Sequence, residues 1–113
     1  MSQENNLSEL QFLYLTTTGR KTGLAREIEI WFVEIAGRFY ILAEHFHKAR
    51  WVMNVTNDSR VRVRIGKREF EATARVLSQE GDSELWQKAQ QLSRDKYGWG
   101  DGLPVEITPD DSK

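Results

Sequence analysis

Arg60-Val61-Arg62-Val63-Arg64-Ile65, followed by Gly66-Lys67 and a return carrying Phe70, Ala72, Ala74 and Val76, is the stretch that decides the fold. Strict alternation puts Val61, Val63 and Ile65 on one face of a strand and three arginines on the other. The return sets Glu69, Glu71 and Thr73 opposite its own apolar row, so the unit reads as a hairpin with one dry and one wet face. Upstream, residues 47–56 carry Trp51, Val52 and Val55 at helical spacing, ended by Asn57-Asp58-Ser59. Residues 26–35 alternate Ile28, Ile30 and Phe32 against Glu27, Glu29 and Trp31, turn at Ala36-Gly37 and return over 38–44 as a second hairpin. A first strand is expected over 12–17. Downstream, Gly81-Asp82-Ser83 breaks the sheet and offers Ser83 as an N-cap. Leu85, Trp86, Ala89, Leu92 and Ser93 then mark a helix that Gly98 stops. Pro104-Val105-Glu106-Ile107 reads as a last strand. The predicted fold is mainly β (α+β): a six-stranded antiparallel barrel with two flanking helices. Residues 1–10 read as a flexible segment, 11–109 as the single domain and 110–113 as a mobile tail.

Bulk properties narrow the function. The chain has 113 residues and a net charge of −1, so nothing global points to nucleic acid or an acidic membrane. With no cysteine, disulfides, thiolate metal sites and cysteine nucleophiles are excluded. The polar start has no apolar signal core, and no apolar run approaches a membrane span, so a soluble cytoplasmic protein is expected.

Chemistry concentrates in Thr16-Thr17-Thr18-Gly19-Arg20-Lys21-Thr22-Gly23-Leu24-Ala25-Arg26. Two glycines, four threonine hydroxyls, three cations and no acid make a loop suited to an anion. It is not a phosphate-binding Walker loop, and it reads equally as an exposed basic turn. Arg60, Arg62 and Arg64 invite a nucleic-acid reading, but Glu27, Glu29, Glu69 and Glu71 supply carboxylates for cross-strand pairing. His45 and His47 stand two apart without an evident third ligand, so no metal is assigned. Trp51, Tyr97 and Trp99 are candidate pocket walls, and Trp99, between glycines, reads either as a stacking lid or as a plug for a barrel end. No nucleophile–base–acid arrangement is present, so an enzyme built on this chain needs a cofactor to carry the reaction.

The run from Leu15 to Gly23 with Arg26, together with Trp51-Val52-Met53-Asn54-Val55 and the strand entry over 57–63, resembles the deazaflavin-dependent nitroreductase family of the split β-barrel flavin-binding superfamily. The resemblance implies a split barrel, a homodimer, and coenzyme F420 (a deazaflavin) or FMN as cofactor. It places Arg20, Lys21, Thr22 and Arg26 on the cofactor's anionic end. It sets the backbone of Glu27, Ile28 and Glu29 along its ring, and puts Lys48 in place of a family lysine. His45, His47, Trp51, Tyr97 and Trp99 are then the candidate substrate pocket. Two motifs depart from the family: Glu29-Ile30 stands where a Pro-Leu is usual, and residues 44–50 lack the family's glycines and prolines. An acidic Glu29 beside an anionic tail would favour FMN or another ligand. The implied activity is hydride transfer to a quinone, enone or nitro compound. The alternative is a non-catalytic carrier of a flavin, a haem or other tetrapyrrole, or an apolar ligand, with His45 and His47 as the available nitrogen ligands.

Overall fold

The structure, a computed structural model, describes residues 9–110. The expected flexible start and mobile tail fall almost wholly on residues 1–8 and 111–113, outside the described residues. The elements run β1 (Leu13–Thr18), β2 (Ala25–Ile30), β3 (Val33–Ile35), β4 (Arg38–Ala43), a short 3-10 turn (Phe46–Lys48), α1 (Arg50–Asn57), β5 (Arg60–Ile65), β6 (Arg68–Val76), α2 (Ser83–Tyr97) and β7 (Leu103–Pro109). The strands form one seven-stranded sheet in the order β2-β1-β5-β6-β7-β4-β3, with every pair antiparallel.

Seven strands replace the six expected. The single strand read over 26–35 is two, and they lie at opposite edges of the sheet. Only Trp31 and Phe32 join them. Three Cα steps span at most about 11 Å, so the sheet must curl until its edges nearly meet, which makes it a barrel split along one seam. Consequently β2 pairs with β1, Thr16 opposite Glu27, and only Val33–Ile35 forms the expected hairpin with β4.

Register carries one apolar row around the curl: Leu15 opposes Val63 and Ile28, and Phe39 opposes Ile107, which opposes Ala74. Leu13, Leu15, Ile41, Val63, Ile65, Val105 and Ile107 are fully buried. Each such side chain contributes roughly 1.5–3 kcal/mol of transfer free energy. The arginines of β5 face outward and are paired, Arg62 with Glu71 at 2.7 Å, Arg64 with Glu27 at 3.4 Å and Arg60 with Asp110 at 3.7 Å.

The helix expected over 47–56 starts at Arg50, because Ala49 is extended (ψ 135°) and separates it from the 3-10 turn. It packs on β1 and β6 through Val52, Asn54 and Val55. The second helix buries Trp86, Ala89 and Ser93 and lies on β3, β4 and β7. Ser83 is its first residue, not its cap. Asp82 takes the cap position, but its carboxylate is turned to the Ser78 N–H (2.8 Å) and to Arg75 (3.2 Å). Gly98 ends the helix in the left-handed conformation (φ 81°), as expected.

Candidate functional site

Two cavities of similar size, about 730 and 740 Å³, share Arg50 and Trp51 on their walls. The first is cationic and is built on the loop between β1 and β2. Gly19 N–H donates to the Leu24 carbonyl and Gly23 N–H to the Gly19 carbonyl, each at 2.8 Å, so the loop closes on itself. A Cβ at Gly19 would lie 2.9 Å from Thr22 Oγ1 and 3.3 Å from the Leu24 carbonyl, so a side chain there would press on Thr22. The loop is tied to α1 by Asn54, 7% exposed. Its Oδ1 accepts from the Arg20 N–H at 3.1 Å, and its Nδ2 donates to Thr17 Oγ1 at 3.0 Å.

Arg20, Lys21 and Arg26 line this cavity from the loop side and Arg50 from α1. Among the described residues none of the four pairs with a carboxylate, whereas Arg38, Arg60, Arg62, Arg64, Arg75 and Arg94 all do. Glu27 also lines the cavity, but its carboxylate is engaged by Arg64. Four unneutralised cations around one concavity leave a field that a multiply charged anion can fill.

The second cavity is aromatic. Phe12, Trp31, Phe32, Tyr40, Trp51 and Trp99 form much of its wall, with Glu29, Glu44, His45 and Arg50 as its charged or titratable neighbours. Trp99 is held rather than free: Ser93 Oγ donates to its carbonyl at 2.6 Å, and a Cβ on Gly102 would meet its ring at 2.7 Å. Tyr40 presents its ring, but its hydroxyl donates to Glu106 at 2.8 Å. Burial and the Glu106 hydrogen bond push the phenol up to about 12, so it keeps its proton at neutral pH. Burial alone would raise Glu106. Hydrogen bonds from Tyr40 and Arg75 and the charge of Arg75 outweigh it and hold the carboxyl below its ordinary value.

The seam is clamped beside this cavity. The Trp31 and Tyr97 rings stack at 4.3 Å with 2° between planes. Tyr97 Oη accepts from the Phe32 N–H at 2.9 Å and lies 2.8 Å from the Phe32 carbonyl. Lys96 Nζ donates to that carbonyl at 3.0 Å and sits 3.9 Å over the Phe32 ring. Burial, only partly offset by Glu34, brings Lys96 down to about 8.

Of the residues singled out in the sequence, Arg20, Lys21, Thr22, Arg26, Glu27 and Ile28 line the cationic cavity. Glu29, His45 and Trp99 line the aromatic one, and Trp51 lines both. Lys48, His47 and Tyr97 line neither, and Tyr97 serves the seam. Glu29 does not line the cationic cavity, and its carboxylate accepts from the Tyr14 hydroxyl at 2.9 Å. Arg50 was not singled out in the sequence, and Asn54 only as part of the motif from Trp51 to Val55. An asparagine three residues after Trp51, on the apolar face of a helix, was the available signal for one. A basic residue opening a helix with no acid in its first turn was the signal for the other. No cluster of three or more His, Asp or Glu that could hold a metal occurs among the described residues. No helix among them is long and apolar enough to cross a membrane.

Residues 3–108 match the F420H(2)-dependent quinone reductase family. Among solved structures, the chain is 25% identical to an F420-H2 dependent reductase, FDR-A, with a TM-score of 0.67 over 85% of this chain and 91% of that one. It is 27% identical to a chain described as a domain-swapped dimer, with a TM-score of 0.62 over 87% and 81%. The haem storage protein HutZ from Vibrio cholerae is 20% identical with a TM-score of 0.75 over 94% and 86%, a likeness of fold alone. With nearly its whole length matched, the protein belongs to the F420H(2)-dependent quinone reductase family, split-barrel reductases whose cofactor is the deazaflavin F420.

Proposed function

We propose that the cationic cavity holds the anionic end of coenzyme F420 and that the aromatic cavity receives its ring together with an electron-poor acceptor, a quinone before an enone or a nitro compound. The observation that carries this is the contrast between four unpaired cations around one cavity and the outward arginines of β5, Arg60, Arg62 and Arg64, each of which is paired with a carboxylate. The residues present fit the cofactor: Arg20, Lys21 and Arg26 meet its negative charge, and flat rings face flat rings in the second cavity. When bound, the deazaflavin supplies a hydride. The protein's part is to orient donor and acceptor and to keep water out. Trp51 lines both cavities, so one ring can separate charged from apolar contacts. A homodimer accords with this reading, since Phe12 (41% exposed) and Trp31 (39% exposed) on the aromatic wall leave apolar surface to cover.

The test is a titration of the purified protein with oxidised coenzyme F420, followed by absorbance and fluorescence, with FMN and haem in parallel. Saturable F420 binding, lost in Lys21→Ala/Arg26→Ala with melting unchanged, supports the reading. Binding that survives the double change puts the anionic end elsewhere. The carrier reading has one histidine in the aromatic cavity, His45, and haem binding lost in His45→Ala without F420 binding would favour it.

A further inference from the structure

We propose that Arg50 is the specificity-determining cation of the aromatic cavity, selecting planar acceptors that carry an ionised oxygen or develop one on reduction. The inference rests on the placement of the acceptor given above and adds what that acceptor must look like. Arg20, Lys21 and Arg26 line the cationic cavity alone, whereas Arg50 lines both and is the one lysine or arginine on the aromatic wall. Nothing in the fold accounts for its charge. Among the described residues it has no ion pair, and it opens α1, where the helix dipole disfavours a cation and no acid in the first turn compensates. Neither acid on the same wall is paired with it: Glu29 accepts from Tyr14, and Glu44 makes no ion pair among the described residues.

The chemistry gives such a cation its use. A quinone that gains hydride is reduced by two electrons as the deazaflavin is oxidised. The donor C–H bond breaks, a bond to the quinone forms, and one quinone oxygen is left as a phenolate that then takes a proton from water. In a concavity walled largely by aromatic rings, a guanidinium stabilises that oxygen more than it would in bulk solution.

The test compares lawsone, a naphthoquinone whose hydroxyl is ionised at neutral pH, with menadione, its uncharged methyl counterpart. Binding to the full chain is read by quenching of tryptophan fluorescence, with pyrophosphate as the probe of the cationic cavity. Wild type is expected to hold lawsone about tenfold tighter than menadione, one charge-assisted hydrogen bond. Arg50→Gln should erase that preference while menadione binding, the control for an intact cavity, is kept. Pyrophosphate binding should fall less than lawsone binding does. An unchanged preference in Arg50→Gln, or none in wild type, overturns the proposal. So does a variant that loses pyrophosphate and keeps lawsone, since Arg50 would then serve the other cavity. If Lys21→Ala/Arg26→Ala retains pyrophosphate, the assignment of the cationic cavity fails, and the lawsone preference still judges Arg50 separately.

Discussion

Asn54 fastens the anion loop to the barrel: its Oδ1 accepts from the backbone N–H of Arg20, a residue 34 positions earlier, at 3.1 Å. The same amide donates to Thr17, so one buried side chain sets where the loop leaves β1. Asn54→Ala strands the Thr17 hydroxyl and frees the Arg20 amide, and should cost about 1–3 kcal/mol in urea unfolding. Asn54→Asp keeps an acceptor for Arg20 but brings a negative charge to the cationic cavity. It should weaken F420 binding more than Asn54→Ala does, as measured by fluorescence titration.

The outward arginines of β5 should behave unlike those of the loop. Arg62 pairs with Glu71 at 2.7 Å, with both side chains about half exposed. Arg62→Gln should change stability by about 0–1 kcal/mol and leave cofactor affinity unaltered. Removing Lys21 should instead weaken binding and flatten its dependence on salt, checked by titrations at two ionic strengths.

Stability between pH 8 and 10.5 should carry the mark of Lys96. Its folded value, about 8, lies below the ordinary 10.5, so between those limits the unfolded chain binds more protons. Stability contributed by the neutral amine is therefore present above the ordinary value and lost as pH falls through 8. The melting temperature should rise as pH is raised from 8 toward 10, and Lys96→Met should remove that rise. Tyr40 runs oppositely: raised to about 12 from 10, it contributes stability below 10 that is lost as pH climbs toward 12. Differential scanning calorimetry across that range separates the two.

Tyr97→Phe should keep the ring on Trp31 while removing the hydroxyl that binds the Phe32 backbone. A loss of about 1–3 kcal/mol is expected, for the Phe32 N–H is left without that partner. Pyrophosphate affinity should stay unchanged, because Tyr97 touches neither wall of the cationic cavity.

Much of this was legible in the residues. The hairpin of β5 and β6 declared itself because one face is dry and the other wet, and period-two alternation records that directly. The loop from Gly19 to Arg26 was legible for a different reason: cations with no acid among them are an electrostatic statement that needs no fold. The seam was not. Ile28, Ile30 and Phe32 stay in phase through it, so alternation continues although the strand has ended and the chain has crossed to the other edge. What separates β2 from β3 is closure of the sheet, a long-range property that no local window contains. Arg50 was equally hidden, for its meaning depends on two cavities meeting at the start of one helix.

The place of β7 in the sheet has a bearing on how this protein is made. The strand nearest the C-terminus, Leu103–Pro109, lies between β6 and β4, so a chain emerging from the ribosome has every other strand in hand before the one that joins them. Until then the β1, β2, β5, β6 ribbon and the β3–β4 hairpin have unpaired edges facing solvent, open to other chains. Closure of the barrel therefore waits on β7, the last strand of the described chain and the one that joins the two parts.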